Sequence, residues 1–482
     1  VQFSNFYNTN QDGSMNTHVI INGENIQGSA ETFKVLNPAN EEVITEIASA
    51  TPEQVNQAVQ AATEAFKQWK NISDKEINNS FSKIANDIRQ EKKEIARLIT
   101  LEQGKPLGLA EFEVEAGASW IEYIASLEIP VETIQEPGGK TIQVYNRPLG
   151  VVASITPWNW PFMIAVWHLF PALKTKNCIV NKPSEYTPLS TVKLVEIINR
   201  HVPKGVCSVV LGTGKVGQVL SEHPDIAKVT FTGSTRTGQS ILSHSVNTLK
   251  GVVLELGGND VGIVLDDIDV DSTAEKIFGS AFLNAGQTCA ALKRLYVHEN
   301  IYEDLIHKLV EIAERQVVGD GQEENTTFGP VQNRMQFNKV KALIEDAIAQ
   351  GGELLTQAPV LPENGYYIAP TLIANLREGV ALVDEEQFGP ALPIIKFSEI
   401  DDVIQRANQS SFGLGGSVWS QDIEKAQEIA NQLECGTVWI NSHADLSPAA
   451  PFGGWKLSGL GYSFGLDGLL LFTKKQAIHI SR

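Results

Sequence analysis

The chain has 482 residues, 42% of them hydrophobic and 20% charged, with 39 glycines spread along its length. That composition fits a soluble globular protein with more than one core and excludes a disordered or fibrous chain. Against 38 Lys and Arg stand 57 Asp and Glu, a formal charge of −19 with no dense basic block, which excludes nucleic acid and anionic membranes as partners.

The first fourteen residues, VQFSNFYNTNQDGS, are polar and lack the basic start and apolar core of a secretory signal, so they are expected to be a leader or flexible tail. From Met15, MNTHVIINGENI reads as the opening of a strand. Between Pro52 and Leu101 apolar residues recur at helical spacing, which predicts two or three amphipathic helices. After Glu102-Gln103-Gly104-Lys105-Pro106 a further helix is expected through EFEVEAGASWIEYIASL. Glu136-Pro137-Gly138-Gly139 then begins a hairpin-like excursion, KTIQVYNRP.

Between Gly150 and Gly258 apolar strands (VVASITP, CIVNKP, CSVVLG, KVTFTG, VVLELGG) alternate with helices, the signature of a parallel, doubly wound α/β sheet. The alternation restarts after Asp260 with VGIVL, RLYVH, LPIIKF, GGSVWS and GTVWIN, so a second α/β domain is expected from residue 259. The terminal LLLFTKKQAIHI reads as a strand that joins either the hairpin or a neighbouring subunit's sheet. No apolar run of 18 residues appears. The four cysteines, Cys178, Cys207, Cys289 and Cys435, have no CxxC spacing and no His cluster. That speaks against a metal site or a disulfide framework and for a reducing, cytoplasmic setting.

Cys289 in AGQTCAA has small neighbours that leave its thiol approachable at the expected end of a helix. A lone cysteine is more often a packing residue, and only a thiolate attacks carbonyls, so a nucleophile there needs a partner. Glu255, a carboxylate after three apolar residues in VVLELGGND, is a candidate base; the alternative is a salt-bridged strand end. Asn159 in TPWNWPF is a candidate oxyanion donor together with the Cys289 N–H, a type of donor worth roughly 3 kcal/mol. The alternative is a turn-forming Asn.

The motifs TPWNWP, NKPSEYTP, FTGSTRTG, ELGGND, GQTC, EEQFGP and PFGGWKLSG follow one another in the order and spacing of the aldehyde dehydrogenase superfamily, with 34 residues from Glu255 to Cys289. From about Val19 to Ile480 the chain resembles that superfamily. The resemblance implies that Cys289 attacks an aldehyde, Asn159 stabilises the oxyanion, hydride leaves for a nicotinamide, and Glu255 activates water to hydrolyse the thioester. Relatives that pass the acyl group to coenzyme A commonly lack this Glu, so a free acid is the expected product. A CoA-acylating or catalytically silent homologue is the alternative.

Gly-Thr-Gly-Lys-Val-Gly at 212–217 is read only as an approximation to the strand–helix dinucleotide fingerprint. The resemblance instead places NAD against Gly233 and Ser234 at a helix start, with Thr156, Trp158, Gly217, Thr232 and Leu256 as further cofactor contacts. Lys182 and Glu185 match the residues that hold the adenosine ribose. A carboxylate there repels a 2′-phosphate, so NAD is favoured over NADP; without the resemblance the two read as a surface pair. Glu386 matches the second ribose ligand, and Phe388 the residue beside the nicotinamide.

Trp160, Ile164, Trp167, Thr288, Ala290, Leu446 and Phe452 match the substrate tunnel. This apolar set has no Arg for a second carboxylate, so an uncharged aliphatic or aromatic aldehyde is expected, with a semialdehyde or aminoaldehyde as alternatives. Glu113 and Glu115 read either as a tunnel mouth that attracts an amine or as a solvated acidic helix face. The segment HADLSPAAP is not decoded. The implied organisation is a leader at 1–14, a dinucleotide-binding domain at 15–128 and 149–258, and a catalytic domain at 259–460. An oligomerisation arm at 129–148 and 461–482 would build a homodimer or homotetramer.

Overall fold

A computed structural model describes residues 18–137, 139–357 and 359–481; the expected leader at 1–14 and the start of the first strand at 15–17 lie outside the described residues. Strands β1 (Val19–Ile21) and β2 (Glu24–Ile26) form a hairpin. Asn22 and Gly23 between them both have positive φ, the conformation that a two-residue Asn-Gly turn needs to match strand twist. A second hairpin, β3 (Thr32–Leu36) with β4 (Val43–Ala48), follows.

The helical region contains three helices before the Gly-Lys-Pro break and one after: α1 (Pro52–Trp69), α2 (Asp74–Gln90), α3 (Lys92–Gln103) and α4 (Leu107–Ser126). Thr51 with Gln54 and Ser73 with Glu76 form capping boxes that start α1 and α2, satisfying orphan N–H groups in both directions. Gly104, left-handed at φ 96, ends α3. Strand β5 (Glu132–Gln135) pairs with β6 (Thr141–Pro148). The hairpin therefore begins before Glu136, not after it as the turn residues suggested.

The first main sheet takes β7 (Val151–Ile155), α5 (Pro161–Lys174), β8 (Cys178–Lys182), α6 (Leu189–Asn199), β9 (Cys207–Val209), α7 (Gly214–Glu222), β10 (Ile226–Thr232), α8 (Thr235–Ser245) and β11 (Gly251–Glu255). Its parallel core runs β9-β8-β7-β10-β11, with β1 and β2 beyond β9. Every residue of β7 and β8 is buried, which is why these strands read as continuous apolar runs rather than alternating ones. The chain order reverses at β7, so the crevice between the carboxyl ends of β7 and β10 is the topological switch point where open α/β sheets bind ligands. The 212–217 glycines lie where β9 gives way to α7. They follow the outer strand β9, whereas the first strand–helix turn, after β7, carries Thr156 to Trp160.

The second sheet and its helices are β12 (Asp260–Val264), α9 (Val270–Phe282), β13 (Leu292–His298), α10 (Tyr302–Glu314), α11 (Arg334–Ala349), β14 (Glu353–Leu354), β15 (Thr371–Ala374), α12 (Ala381–Asp384), β16 (Ala391–Phe397), α13 (Ile400–Asn408), β18 (Gly415–Trp419), α14 (Ile423–Ala430) and β19 (Thr437–Ile440), with the short β17 (Phe412–Gly413) outside the sheet. Its order is β14-β15-β16-β13-β12-β18-β19, parallel apart from β14. Strand β20 (Trp455–Lys456) pairs with β17. Strand β21 (Gly459–Leu460) crosses back to the first sheet, setting Gly459 opposite Glu255.

After α15 (Gly465–Leu470), β22 (Thr473–Ile480) pairs along its whole length with β6. The terminal strand thus joins the hairpin of its own chain. The result is a doubly wound α/β sheet, a second α/β sheet and a small three-stranded β arm. Among the described residues no helix is long and apolar enough to cross a membrane.

Candidate active site

Four strands of the first sheet deliver their carboxyl ends to one crevice. Thr156 follows β7 and its N–H donates to Lys182 O (3.1 Å) at the end of β8; Gly233 follows β10 and its N–H donates to Glu255 O (3.0 Å) at the end of β11. The Thr156 hydroxyl is buried without a partner. Lys182 is itself buried and its Nζ lies 3.2 Å from Glu185 Oε2, with the Glu185 side chain 31% exposed. The pair thus sits at the crevice and is not a surface pair.

A Cβ on Gly217 would touch Ile155 and Lys182 at 3.8 Å, which places α7 on the same side. Ser234 caps α8 by accepting from Thr237 N–H, and a Cβ on Gly238 would meet the Leu256 side chain. The Thr232 hydroxyl turns away from the crevice. It bonds His168 Nε2 at 2.9 Å, and burial lowers that imidazole to about 3, so it is neutral.

Cys289 comes from the other sheet. Residues Asn284, Ala285 and Gly286 between α9 and the thiol are all left-handed (φ 54, 54 and 72). For Ala285 this is a strained conformation, of a kind that clusters at functional sites. A Cβ on Gly286 would collide with Gly389 O. Cys289 is half-buried, and desolvation pushes its thiol up to about 12, opposed by the Lys293 charge and reinforced by Asp260, Glu255 and Glu386. The resting form at neutral pH is therefore the thiol, and attack requires a base.

Glu255 is buried, with Oε1 accepting from the Ser463 hydroxyl (3.3 Å) and Oε2 without a partner. Desolvation holds its carboxyl well above the usual range. It is no salt-bridged strand end. Asn159 is buried and its Nδ2 donates to Gln287 O (2.9 Å), two residues before Cys289. The Trp160 indole N–H donates to Thr288 Oγ1 (2.9 Å). Asn159 and Trp160 thus meet the segment that carries Thr288 and Cys289, and the Glu255 charge acts on the Cys289 thiol.

Glu386 lies on the two glycines that follow Leu256. Its Oε1 accepts from Gly258 N–H (3.0 Å) and lies 3.5 Å from Lys293 Nζ, and a Cβ on Gly257 would overlap Oε2. The Gly-Gly pair therefore makes room for this carboxylate. Phe388 stands edge-on to Trp158, ring centroids 5.3 Å apart.

Trp160, Ile164, Ala290 and Phe452 belong to one buried apolar cluster, against which Trp167, Leu446 and Cys289 pack. Two aromatics that sequence reasoning missed complete it. Phe464 lies 4.7 Å from Trp167, 5.0 Å from Trp120 and 5.7 Å from Phe452. Glu113 and Glu115 do not face a tunnel mouth. Glu113 is fully buried against Lys105, 2.5 Å away, so neither reading of it as exposed holds; Glu115 pairs with Arg89 and Lys92 on the surface. In HADLSPAAP, His443 is buried with Nδ1 2.9 Å from Ser417 Oγ and Nε2 3.6 Å from Asp260 Oδ2. That anchors the segment to β18 and β12.

The sequence profile of the Aldehyde dehydrogenase family matches residues 26–478. The chain belongs to that family. It is 37% identical over 484 residues to the phenylacetaldehyde dehydrogenase of Pseudomonas fluorescens, covering 96% of this chain and 95% of that protein. Aldehyde dehydrogenase LUC3 of Fusarium sp is 36% identical over 465 residues, covering 96% and 98%. Among solved structures, betaine aldehyde dehydrogenase of Staphylococcus aureus in complex with NAD+ superposes with a TM-score of 0.93 at 33% identity, covering 96% of this chain and 94% of that one.

This aldehyde dehydrogenase is accordingly an oxidoreductase. Of the site residues that sequence reasoning missed, Ser463 and Phe464 follow PFGGWKLSG by a few positions and carry no motif of their own. Lys293 lies four residues after Cys289 and donates to its carbonyl oxygen, a spacing that alone marks nothing.

Proposed function

We propose that this aldehyde dehydrogenase oxidises an uncharged aliphatic or aromatic aldehyde to the carboxylic acid with NAD, through a thiohemiacetal and a thioester on Cys289. The observation that carries the reading is Glu255: a buried carboxylate with one oxygen unpartnered, close enough to Cys289 to raise its pKa. Such a group takes the thiol proton as the sulfur attacks and later takes a proton from the water that attacks the thioester. Sulfur–carbon bond formation moves the carbonyl electron pair onto oxygen. The Asn159 amide and the Cys289 N–H are the donors for that oxyanion.

The crevice fits a dinucleotide by the chemistry of its donors: an unpartnered buried Thr156 hydroxyl, the Lys182–Glu185 pair, and Gly233-Ser234 at the start of α8, where N–H groups and helix dipole favour phosphate. Trp158, Gly217, Leu256, Glu386 and Phe388 border the same region, Thr232 through its main chain only. NAD, when bound, supplies the hydride acceptor. Glu185 disfavours a 2′-phosphate, which supports NAD over NADP.

Residues 15–128 and 149–258 form the dinucleotide-binding part and 259–460 the catalytic part in this reading. The arm at 129–148 and 461–482 joins copies into a homo-oligomer. Four unpaired thiols suit a cytoplasmic setting. Because Glu113 and Glu115 are both engaged, neither is free to attract an aminoaldehyde.

An aldehyde panel followed by NAD(P)H formation, with product analysis in the presence and absence of coenzyme A, tests the reading. Free acid with either addition is expected; an acyl-CoA product overturns it. Cys289→Ala should cut turnover by about 10⁴-fold or more while leaving NAD binding intact.

A further inference from the structure

Glu113, displaced from the role its sequence position suggested, forms with Lys105 a charge pair beneath the reacting centre. Both side chains are fully buried, with Lys105 Nζ 2.5 Å from Glu113 Oε2. The ammonium also donates to Asn159 O (3.0 Å) and lies 3.6 Å from the centre of the Trp160 ring. Its three directions are thus a carboxylate, the carbonyl of the oxyanion-hole candidate and the face of the next residue. Glu113 Oε1 accepts from the N–H groups of Phe162 and Met163, each at 3.0 Å. These are orphan donors of the first turn of α5, whose N-cap position, Trp160, offers no side-chain cap.

We propose that the Lys105–Glu113 pair is the positioning element that fixes Asn159 and Trp160 for reaction at Cys289; this rests on the reading of Asn159 as oxyanion donor. Two chains of contact lead from the pair to the residues just before the nucleophile. Asn159 O accepts from both Lys105 and Asn284 Nδ2 (2.8 Å), and Asn159 Nδ2 donates to Gln287 O. Trp160, held between the Lys105 charge and Thr288 Oγ1, reaches the residue adjacent to Cys289.

Stability alone does not call for ions here. Burying two charges costs about as much as their attraction returns, and an apolar pair of similar volume would pack as well. What an ion pair adds is direction: charged donors and acceptors hold carbonyl and amide groups in one orientation, and displacement of about 1 Å at a reacting centre costs as much as 10²-fold in rate.

Local sequence explains how a lysine reaches the interior. Gly104 ends α3 in a left-handed turn against Pro38 and Pro330, Lys105 N–H donates to Gln103 Oε1 (3.0 Å), and Pro106 precedes α4. Between those two breaks the single residue Lys105 is directed inward, and Glu113 on α4 meets it.

The test is a double-mutant cycle in the intact enzyme. Lys105→Met, similar in length and uncharged, should slow the NADH burst with a good aldehyde substrate by about tenfold to a hundredfold. KM for NAD and the alkylation rate of Cys289 by iodoacetamide should stay within about twofold. In an Asn159→Ala background the same substitution should add less than about threefold, because the side-chain donor that the pair orients is gone and only the Trp160 contact remains.

A burst rate within about twofold of the parent, or an equal effect of Lys105→Met in both backgrounds, overturns the proposal. Should Lys105→Met fail to fold, Glu113→Gln, which keeps shape and removes only charge, carries the same cycle. Asn159→Ala on its own separates the two levels: if it leaves the burst unchanged, the oxyanion reading fails, whatever the pair does.

Discussion

The Ser463 hydroxyl donates to Glu255 Oε1 across 3.3 Å, while Glu255 Oε2 is buried without a partner. One oxygen is anchored and the other is left for chemistry. The residue that does the anchoring arrives only because β21 returns from the second sheet to pair with β11, with Leu256 N–H donating to Ser458 O (2.9 Å).

From this follows a pH dependence. Burial holds the Glu255 carboxyl well above its ordinary value, so a larger fraction is protonated near neutrality than for an exposed Glu. A base acts only when deprotonated, so steady-state turnover should rise with pH through that elevated value. Glu255→Gln should remove the rise, slowing the NADH burst because the acceptor of the thiol proton is gone, and slowing the deacylation that follows by about 10²-fold or more. Stopped-flow NADH absorbance across pH separates burst from steady state. A Gln variant with parental steady-state turnover would take Glu255 out of the mechanism.

Cofactor preference should respond to a single carboxylate. Glu185 lies 3.2 Å from Lys182 at the end of β8. On the cofactor reading proposed above, Glu185→Ala removes both the acceptor for ribose hydroxyls and the repulsion of a 2′-phosphate, and leaves Lys182 Nζ free to meet that phosphate. The ratio of kcat/KM for NAD over NADP should fall by about tenfold or more. Equal cofactor use by parent and variant would remove Glu185 from discrimination.

The main strands of the two α/β sheets were legible because each is a local pattern, an apolar run bounded by turn residues. What was not legible depends on the chain's return paths. Ser463 and Phe464 matter because β21 pairs back onto β11, a long-range contact that neither residue's own local pattern announces. Glu113 looked solvated because α4 has acidic residues on more than one face. Only the inward turn of Lys105, set by Gly104 and Pro106, reveals which of them is buried. The hairpin start was misplaced because Glu136 and Pro137 follow β5 rather than precede it.

Substrate size discrimination should reside in the aromatic cluster. Phe464 holds a left-handed backbone at φ 68, costly for a bulky residue and of order 1–3 kcal/mol, yet its ring contacts Trp120, Trp167 and Phe452. Phe464→Ala should lower stability by about 3 kcal/mol from lost packing. It should also raise KM for an arylalkyl aldehyde by about three- to tenfold, since an aromatic contact contributes about 0.5–1.5 kcal/mol. Acetaldehyde, which carries no ring to stack there, should keep its KM. Comparing the two aldehydes in parent and variant checks this, and an equal change in both KM values would mean that Phe464 acts on the fold and not on selectivity.

The arm supports a prediction about assembly. Its three strands run β22-β6-β5, so both β22 and β5 are edges with unpaired main-chain groups, and Ile134, Ile478 and Ile480 on them are exposed. Exposed apolar edge strands pair with something, because bare ones aggregate; the occupant proposed above is a second copy of the chain. Removing residues 473–482 takes away one edge and its two isoleucines, and also strips β6 of its eight-residue partner. Light scattering coupled to size exclusion should then show a species of smaller mass than the parent, with NAD binding retained because the crevice at β7 and β10 is built without the arm. A truncated enzyme with the parental mass would place the contact between copies elsewhere, with the exposed α8 end, where Leu242, Val246 and Leu249 are solvent-facing, as the next surface to alter.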